Sequence, residues 1–239
     1  MQAVKILIVA TSHEKLGDTG RKTGLWLQEL AIPYYIFRES GAVITLVSPK
    51  GGRVPLEPKS ESIIAASSTT KRFLKDPEAI SMLKNSIALS TQKAEDFDLV
   101  FLPGGHGPMW DFTDNGSLKK LLEDFNRQDK LIGAVCHGVA GLLSPVNSAG
   151  EPLVKGRQVT SFSNSEELAS GLETVVPFLL ESALVGLGAS YTRKPDFLSH
   201  LVIDGNIITG QNPASSMEVA LKLLHCMKKS IKNSAATAR

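Results

Sequence analysis

The chain is expected to fold as an α/β protein, with a mostly parallel sheet sandwiched between helices. Three observations predict this. The runs Val4–Ala10, Phe97–Leu102 and Leu131–Val135 are apolar without alternation, as strands covered on both faces are. Segments of helical spacing separate these runs, the pattern of a parallel sheet. Residues 1–239 contain no internal repeat, low-complexity block or linker-like shift in composition, which predicts one domain.

In chain order, Val4–Ala10 is rich in β-branched residues and reads as the first strand. Residues 22–40 have helical spacing, with Pro33 predicting a break or kink. Gly41 ends that helix, and Ala42–Val47 forms a second strand closing at Ser48-Pro49. Residues 51–68 are polar and rich in proline and glycine, hence a loop, and Pro77–Asn85 reads as a helix. Phe97–Leu102 is a central strand leading into Pro103-Gly104-Gly105-His106-Gly107-Pro108. A helix near Ser117–Gln128 precedes the strand Leu131–Val135, and a further helix is expected directly after it. Residues 151–160 suggest a short hairpin, and 165–172 and 177–187 suggest helices. Asp204-Gly205-Asn206 between two apolar runs is a strong hairpin signal. The last helix should run from Pro213 to about Lys228, leaving a frayed polar tail over 229–239.

Composition narrows the function. Hydrophobic residues make up 42% and charged residues 21%, ordinary for a globular protein. The 26 basic and 24 acidic residues are well mixed and give a net charge of +2, with no basic stripe to suggest nucleic acid. Two cysteines make no disulfide framework. The Val4–Ala10 run is too short for a signal-peptide core, and no apolar stretch nears the roughly 20 residues of a membrane span. A cytoplasmic location is expected. The five histidines show no paired metal-ligand spacing, so no metal is expected, and the thiol chemistry expected of Cys136 calls for no organic cofactor.

Cys136 is the residue most suited to chemistry. It sits where an apolar strand turns into a segment dotted with small residues, Val135-Cys136-His137-Gly138. Such an elbow lifts the side chain out at the carboxyl end of the strand. Unpaired backbone N–H groups at a following helix start are expected to lower the thiol pKa. The bland alternative, a small buried hydrophobe, is the usual fate of a free cysteine, and Cys226 fits it. His137 could act as a base beside the sulfur once a carboxylate fixes its ring, with Glu166 and Glu167 as downstream candidates. Glu29, within an apolar helix, would carry a proton if it points at the sheet end. The Gly105 and His137 amides are candidates for an oxyanion pocket. His106 reads as a turn residue or pocket wall.

Four motifs in order carry a resemblance: Lys22-Thr23-Gly24 with Glu29, Pro103–Gly107, Val135–Gly138, and Thr209–Ser215. Together they resemble the ThiJ/PfpI superfamily, in its branch of glutathione-independent glyoxalase III enzymes and heat-shock chaperones. Val139 stands where many relatives have proline. The resemblance implies a flavodoxin-like, often dimeric sandwich with Cys136 as nucleophile, His137 as its base and Glu167 orienting that base. It also implies that Glu29 is a protonated carboxyl bonded to the thiolate. The implied activity converts 2-oxoaldehydes such as methylglyoxal to 2-hydroxy acids such as lactate, with glycated or unfolded proteins as further partners. Cysteine peptidase or amidase action, a holdase function and a redox-sensing thiol stand as alternatives.

Overall fold

The computed structural model describes residues 3–62 and 67–237, with side chains as far as Lys229. Residues 63–66 of the expected loop and 238–239 of the expected tail lie outside the described residues. The strands are β1 (Lys5–Val9), β2 (Val43–Ser48), β3 (Ile87–Ala88), β4 (Leu99–Leu102), β5 (Leu131–Val135), β6 (Gln158–Val159), β7 (Ser190–Tyr191), β8 (Leu201–Asp204) and β9 (Ile207–Gly210). Seven of them form one sheet in the order β3-β2-β1-β4-β5-β9-β8. Every pairing in it is parallel except β8 with β9, the expected hairpin. Apart from the short edge strand β3, the parallel part has the flavodoxin-like order, which reverses between β1 and β4. Ligands of open α/β sheets sit at that reversal, beyond the carboxyl ends of the strands.

The helices are α1 (Leu27–Glu39), α2 (Ser68–Lys75), α3 (Pro77–Lys84), α4 (Pro108–Asp111), α5 (Gly116–Arg127), α6 (Asn164–Ser170), α7 (Leu180–Gly186) and α8 (Ser216–Thr237). Alternate residues of β1 divide two cores between them. Ile6 and Ile8 pack with Leu30 and Phe37 of α1, Phe73 of α2 and Leu223 of α8. Leu7 and Val9 face the opposite way, with Leu122 and Phe125 of α5 and Leu184 of α7. The result is a three-layer sandwich. Among the described residues no helix is long and apolar enough to cross a membrane.

Four expectations are corrected. The helix containing Pro33 is continuous through it and begins only at Leu27, because residues 22–26 are extended and Leu25 bridges to Leu56. An interior proline costs about 3 kcal/mol, and fully burying a side chain such as Leu27, Leu30 or Phe37 returns about 1.5–3 kcal/mol each. Residues 151–160 form no hairpin. Instead β6 pairs in parallel with β7, and the Gln158 amide donates to the Asp204 carboxylate, which draws the segment toward β8. The segment after Cys136 is a 3-10 helix over Cys136–Leu142 rather than an α-helix. The last helix continues to Thr237, beyond the expected end at Lys228. The sequence reading also passed over α2, which Ser67 caps by accepting from the Thr70 amide.

Candidate active site

Cys136 directly follows β5 with φ +59, the left-handed backbone of a strained elbow. The conformation is held from both sides. Gly104 and Gly138 interlock, since a Cβ on Gly104 would lie 2.7 Å from the His137 amide and one on Gly138 2.2 Å from Leu102 O. Gly105, at φ +87, lies against residues 24–26, where a Cβ would come within 2.2 Å of Gly24 O. The strand-end loop is thereby latched to the start of α1. The Trp26 amide donates to Gly104 O (3.0 Å), and the Gly104 amide donates to Glu29 Oε2 (2.7 Å).

Glu29 is fully buried, and its other oxygen, Oε1, has no hydrogen-bond partner. Burial pushes its pKa up to about 8, against the opposing Gly104 N–H and Cys136 thiol. The carboxyl is therefore mostly protonated at neutral pH. Cys136, 3% exposed, interacts with it although no hydrogen bond of standard geometry joins them. The expected lowering of the thiol pKa does not hold. Burial pushes the thiol well up and negative charge on Glu29 would add to this, while the His137 backbone N–H opposes both. With Glu29 protonated its charge repulsion is absent, and burial remains the largest effect against the amide, with a smaller one from the Glu166 charge.

His137 resolves how such a thiol loses its proton. Its Nδ1 lies 3.4 Å from Cys136 Sγ, and its Nε2 lies 2.7 Å from Glu167 Oε2. Glu167 is an anion. Burial works to raise its pKa, but the imidazoles of His137 and His106 override this and hold it well below the carboxylate range. An anionic partner at Nε2 fixes the proton there and leaves Nδ1 as the acceptor facing sulfur. Burial, reinforced by neighbouring His106, lowers the His137 pKa and keeps the ring neutral until the thiol proton arrives. Cys136, His137 and Glu167 thus lie in a row, with the imidazole between the thiol and the carboxylate.

The structure separates the two glutamates on α6. Glu166 binds the Ser163 amide and hydroxyl through Oε2, and the Phe197 amide and Asn212 Nδ2 through Oε1. It completes a capping box and ties α6 to two loops. Glu167, one residue on, turns to the histidines. His106 was read from sequence as a turn or wall residue. It does line the cavity, but its Nε2 also lies 3.0 Å from Glu167 Oε1, and its ring is centred 4.2 Å from that of His137. Only the unusual density of glycines around it marked it in the sequence. Ligand-type atoms of His106, His137 and Glu167 fall within 4.8 Å of one another, each ring already bonded to the carboxylate.

A cavity of about 280 Å³ opens above the sulfur, walled by Trp26, Phe162 and Phe197 and by Gly105, His106 and His137. Among the described residues the Gly105 N–H has no hydrogen-bond partner. It and the His137 N–H are the donors available to an oxygen bound beside Cys136.

Known proteins resemble this chain in sequence and in fold. The glutathione-independent glyoxalase hsp3101 of Schizosaccharomyces pombe is 29% identical over 239 residues, covering 94% of this chain and 98% of its own. The Rapid Encystment Protein 24 KDa of Francisella tularensis superposes with a TM-score of 0.90 at 37% identity, over 94% of this chain and 99% of that one. The glyoxalase III of Candida albicans superposes with a TM-score of 0.86 at 28% identity, over 93% and 96%. Residues 23–226, from the start of the latch to the last helix, match the DJ-1/PfpI family, to which this chain belongs.

Proposed function

We propose that the protein converts 2-oxoaldehydes such as methylglyoxal to 2-hydroxy acids without glutathione. The observation that carries this reading is the pairing of a thiol–imidazole–carboxylate relay with a second, protonated carboxyl, Glu29, on the other side of the sulfur. A hydrolase needs the relay alone. An internal proton shift between two carbons needs a further acid–base group, and Glu29 supplies it.

His137 Nδ1 takes the thiol proton, and sulfur bonds to the aldehyde carbon. The carbonyl oxygen becomes an alkoxide facing the Gly105 and His137 amides and is protonated by Glu29. The resulting carboxylate removes hydrogen from that carbon as the imidazolium protonates the ketone oxygen, giving an enediol. Glu29 returns its proton to the second carbon while His137 takes the hydroxyl proton of the first, leaving a thioester. Water, giving a proton to the Glu29 carboxylate, cleaves the thioester as the His137 imidazolium protonates the departing sulfur, which frees the 2-hydroxy acid and restores the thiol, the neutral imidazole and the protonated Glu29. The first carbon is oxidised and the second reduced, so the sum is aldehyde plus water to acid.

Carbon-bound isotope tests the role of Glu29. Methylglyoxal carrying deuterium on the aldehyde carbon should yield lactate that retains part of the label at carbon 2, read by NMR. Complete washout to solvent under single-turnover conditions would remove the single-carrier role. The same thiol is proposed to act on early aldehyde adducts of proteins, checked by release of free amine from a glycated peptide. The reading further places the chain in the cytoplasm as a homodimer, for which sedimentation equilibrium gives the mass. A holding function toward unfolded chains is favoured separately by exposed Leu168, Phe197 and Leu198. It would survive Cys136→Ala, whereas the chemistry would not.

A further inference from the structure

The cavity is larger than methylglyoxal requires. At about 280 Å³ it approaches the lower end of the ~300–1,000 Å³ range of pockets that enclose drug-sized ligands, whereas methylglyoxal has a three-carbon skeleton. Its walls and its rim differ in chemistry. Cys136 lies at the buried end, and Trp26, Phe162 and Leu172 form apolar wall. Arg21 and Lys59 also line the cavity, and both are exposed. Among the described residues neither cation has a side-chain hydrogen bond or ion pair, although several other surface cations are paired, as Arg38 is with Asp76 and Glu78. The carboxylate that also lines the cavity, Glu57, is buried and accepts from Thr23 Oγ1 at 2.7 Å, pairing with neither cation. Two exposed, unpaired cations thus share one cavity with an apolar wall and the buried Cys136 sulfur.

We infer that the site takes 2-oxoaldehydes extended by an apolar body that ends in an oxyanion, with Arg21 and Lys59 receiving that anion. The inference rests on the glyoxalase reading for the reacting end and on the rim for the other. A carboxylate and a phosphate share the required chemistry, because both offer anionic oxygens to a guanidinium and an ammonium. The aldehyde, the apolar body and the anion would lie along one line from the sulfur to solvent.

The test compares phenylglyoxal with 4-carboxyphenylglyoxal and 4-(phosphonooxy)phenylglyoxal, which differ in charge at the distal end. The expected result is a kcat/KM about tenfold higher for at least one charged aldehyde, the order of one charge-assisted contact at a partly solvated site. Raising the salt concentration should shrink the difference. In the Arg21→Gln/Lys59→Gln double variant the ratio of charged to uncharged kcat/KM should fall to near one. The carboxylate and phosphate arms show which anion is preferred. A second readout does not need turnover: benzoate or phenyl phosphate should slow alkylation of Cys136 by iodoacetamide at lower concentration than benzamide does. Equal kcat/KM across the aldehydes, with equal protection by charged and uncharged probes, overturns the inference. Unequal protection without turnover of any aldehyde supports the anion site and removes the glyoxalase reading instead.

Discussion

At the residue scale the account rests on where protons sit. The pKa of Glu29 is raised from 4.5 to about 8 in the folded chain, so folding takes up a proton between those values. Stability is therefore highest below about pH 4.5 as far as this group is concerned, and is lost as pH rises through about 8. Urea unfolding of the wild type should show that loss, on the order of 4 kcal/mol across the window. Glu29→Gln should lack it, and parallel stability curves for the two proteins would contradict a protonated Glu29. Activity should follow the same groups, with kcat/KM falling above about pH 8 as Glu29 ionises and falling in acid as His137 becomes charged. The two neighbouring glutamates should part company. Glu167→Gln removes the anion that orients His137 and should cut kcat by about 10²–10⁴-fold, the range of a misoriented general base. Glu166→Gln breaks the capping box and its loop ties and should lower Tm while moving kcat much less. Sequence singled out Cys136 and His137 because an elbow cysteine is visible in one dimension, whereas Glu29 was proposed only through the family resemblance, since an acid in an apolar helix more commonly emerges on the polar face. It left Glu166 and Glu167 open, since one residue of helix rotation, about 100°, decides which one meets the histidine. The direction of the thiol pKa was misread because burial, which opposes the local N–H groups, is a property of packing.

At the element scale the site is a junction of three segments: the β4 loop, the elbow after β5 and the entry to α1. Gly104 meets the elbow, and Gly105 meets the entry to α1, at φ +87 and with no room for a Cβ beside Gly24 O. Gly105→Ala should destabilise the protein by about 2 kcal/mol or more and reduce kcat even in the fraction that folds, as measured by thermal melts and active-site titration. An unchanged Tm would show that the latch gives way freely. Regular strands were the legible elements, because an unbroken apolar run has few other uses. The start of α1 was not, since Thr23–Trp26 carry the same apolar spacing while pairing in extended form with residues 55–57. Nor was the parallel pairing of β6 with β7, strands separated by about thirty residues of chain.

At the scale of the whole molecule, the flavodoxin-like sheet explains why residues far apart in sequence share one cavity. Its strand order reverses between β1 and β4, and the loops that leave β4 and β5 bring His106 and Cys136 together there. Glu167 arrives from α6, outside the sheet, and Glu29 from the helix that follows β1. The fold class followed from alternating strands and helices, and the site from four separated motifs. The cations on the rim did not stand out in the sequence, because Arg21 and Lys59 lie in polar loops of ordinary composition. Only the cavity joins them to the thiol.

The measurement closest to the central claim is lactate formation from methylglyoxal without glutathione, in the wild type, Cys136→Ala and Glu29→Gln. Turnover by the wild type, lost by at least about 10³-fold in both folded variants, is the result predicted here. Wild-type turnover that persists in Glu29→Gln would contradict the two-carboxyl mechanism, and an inactive, well-folded wild type would contradict the glyoxalase reading itself.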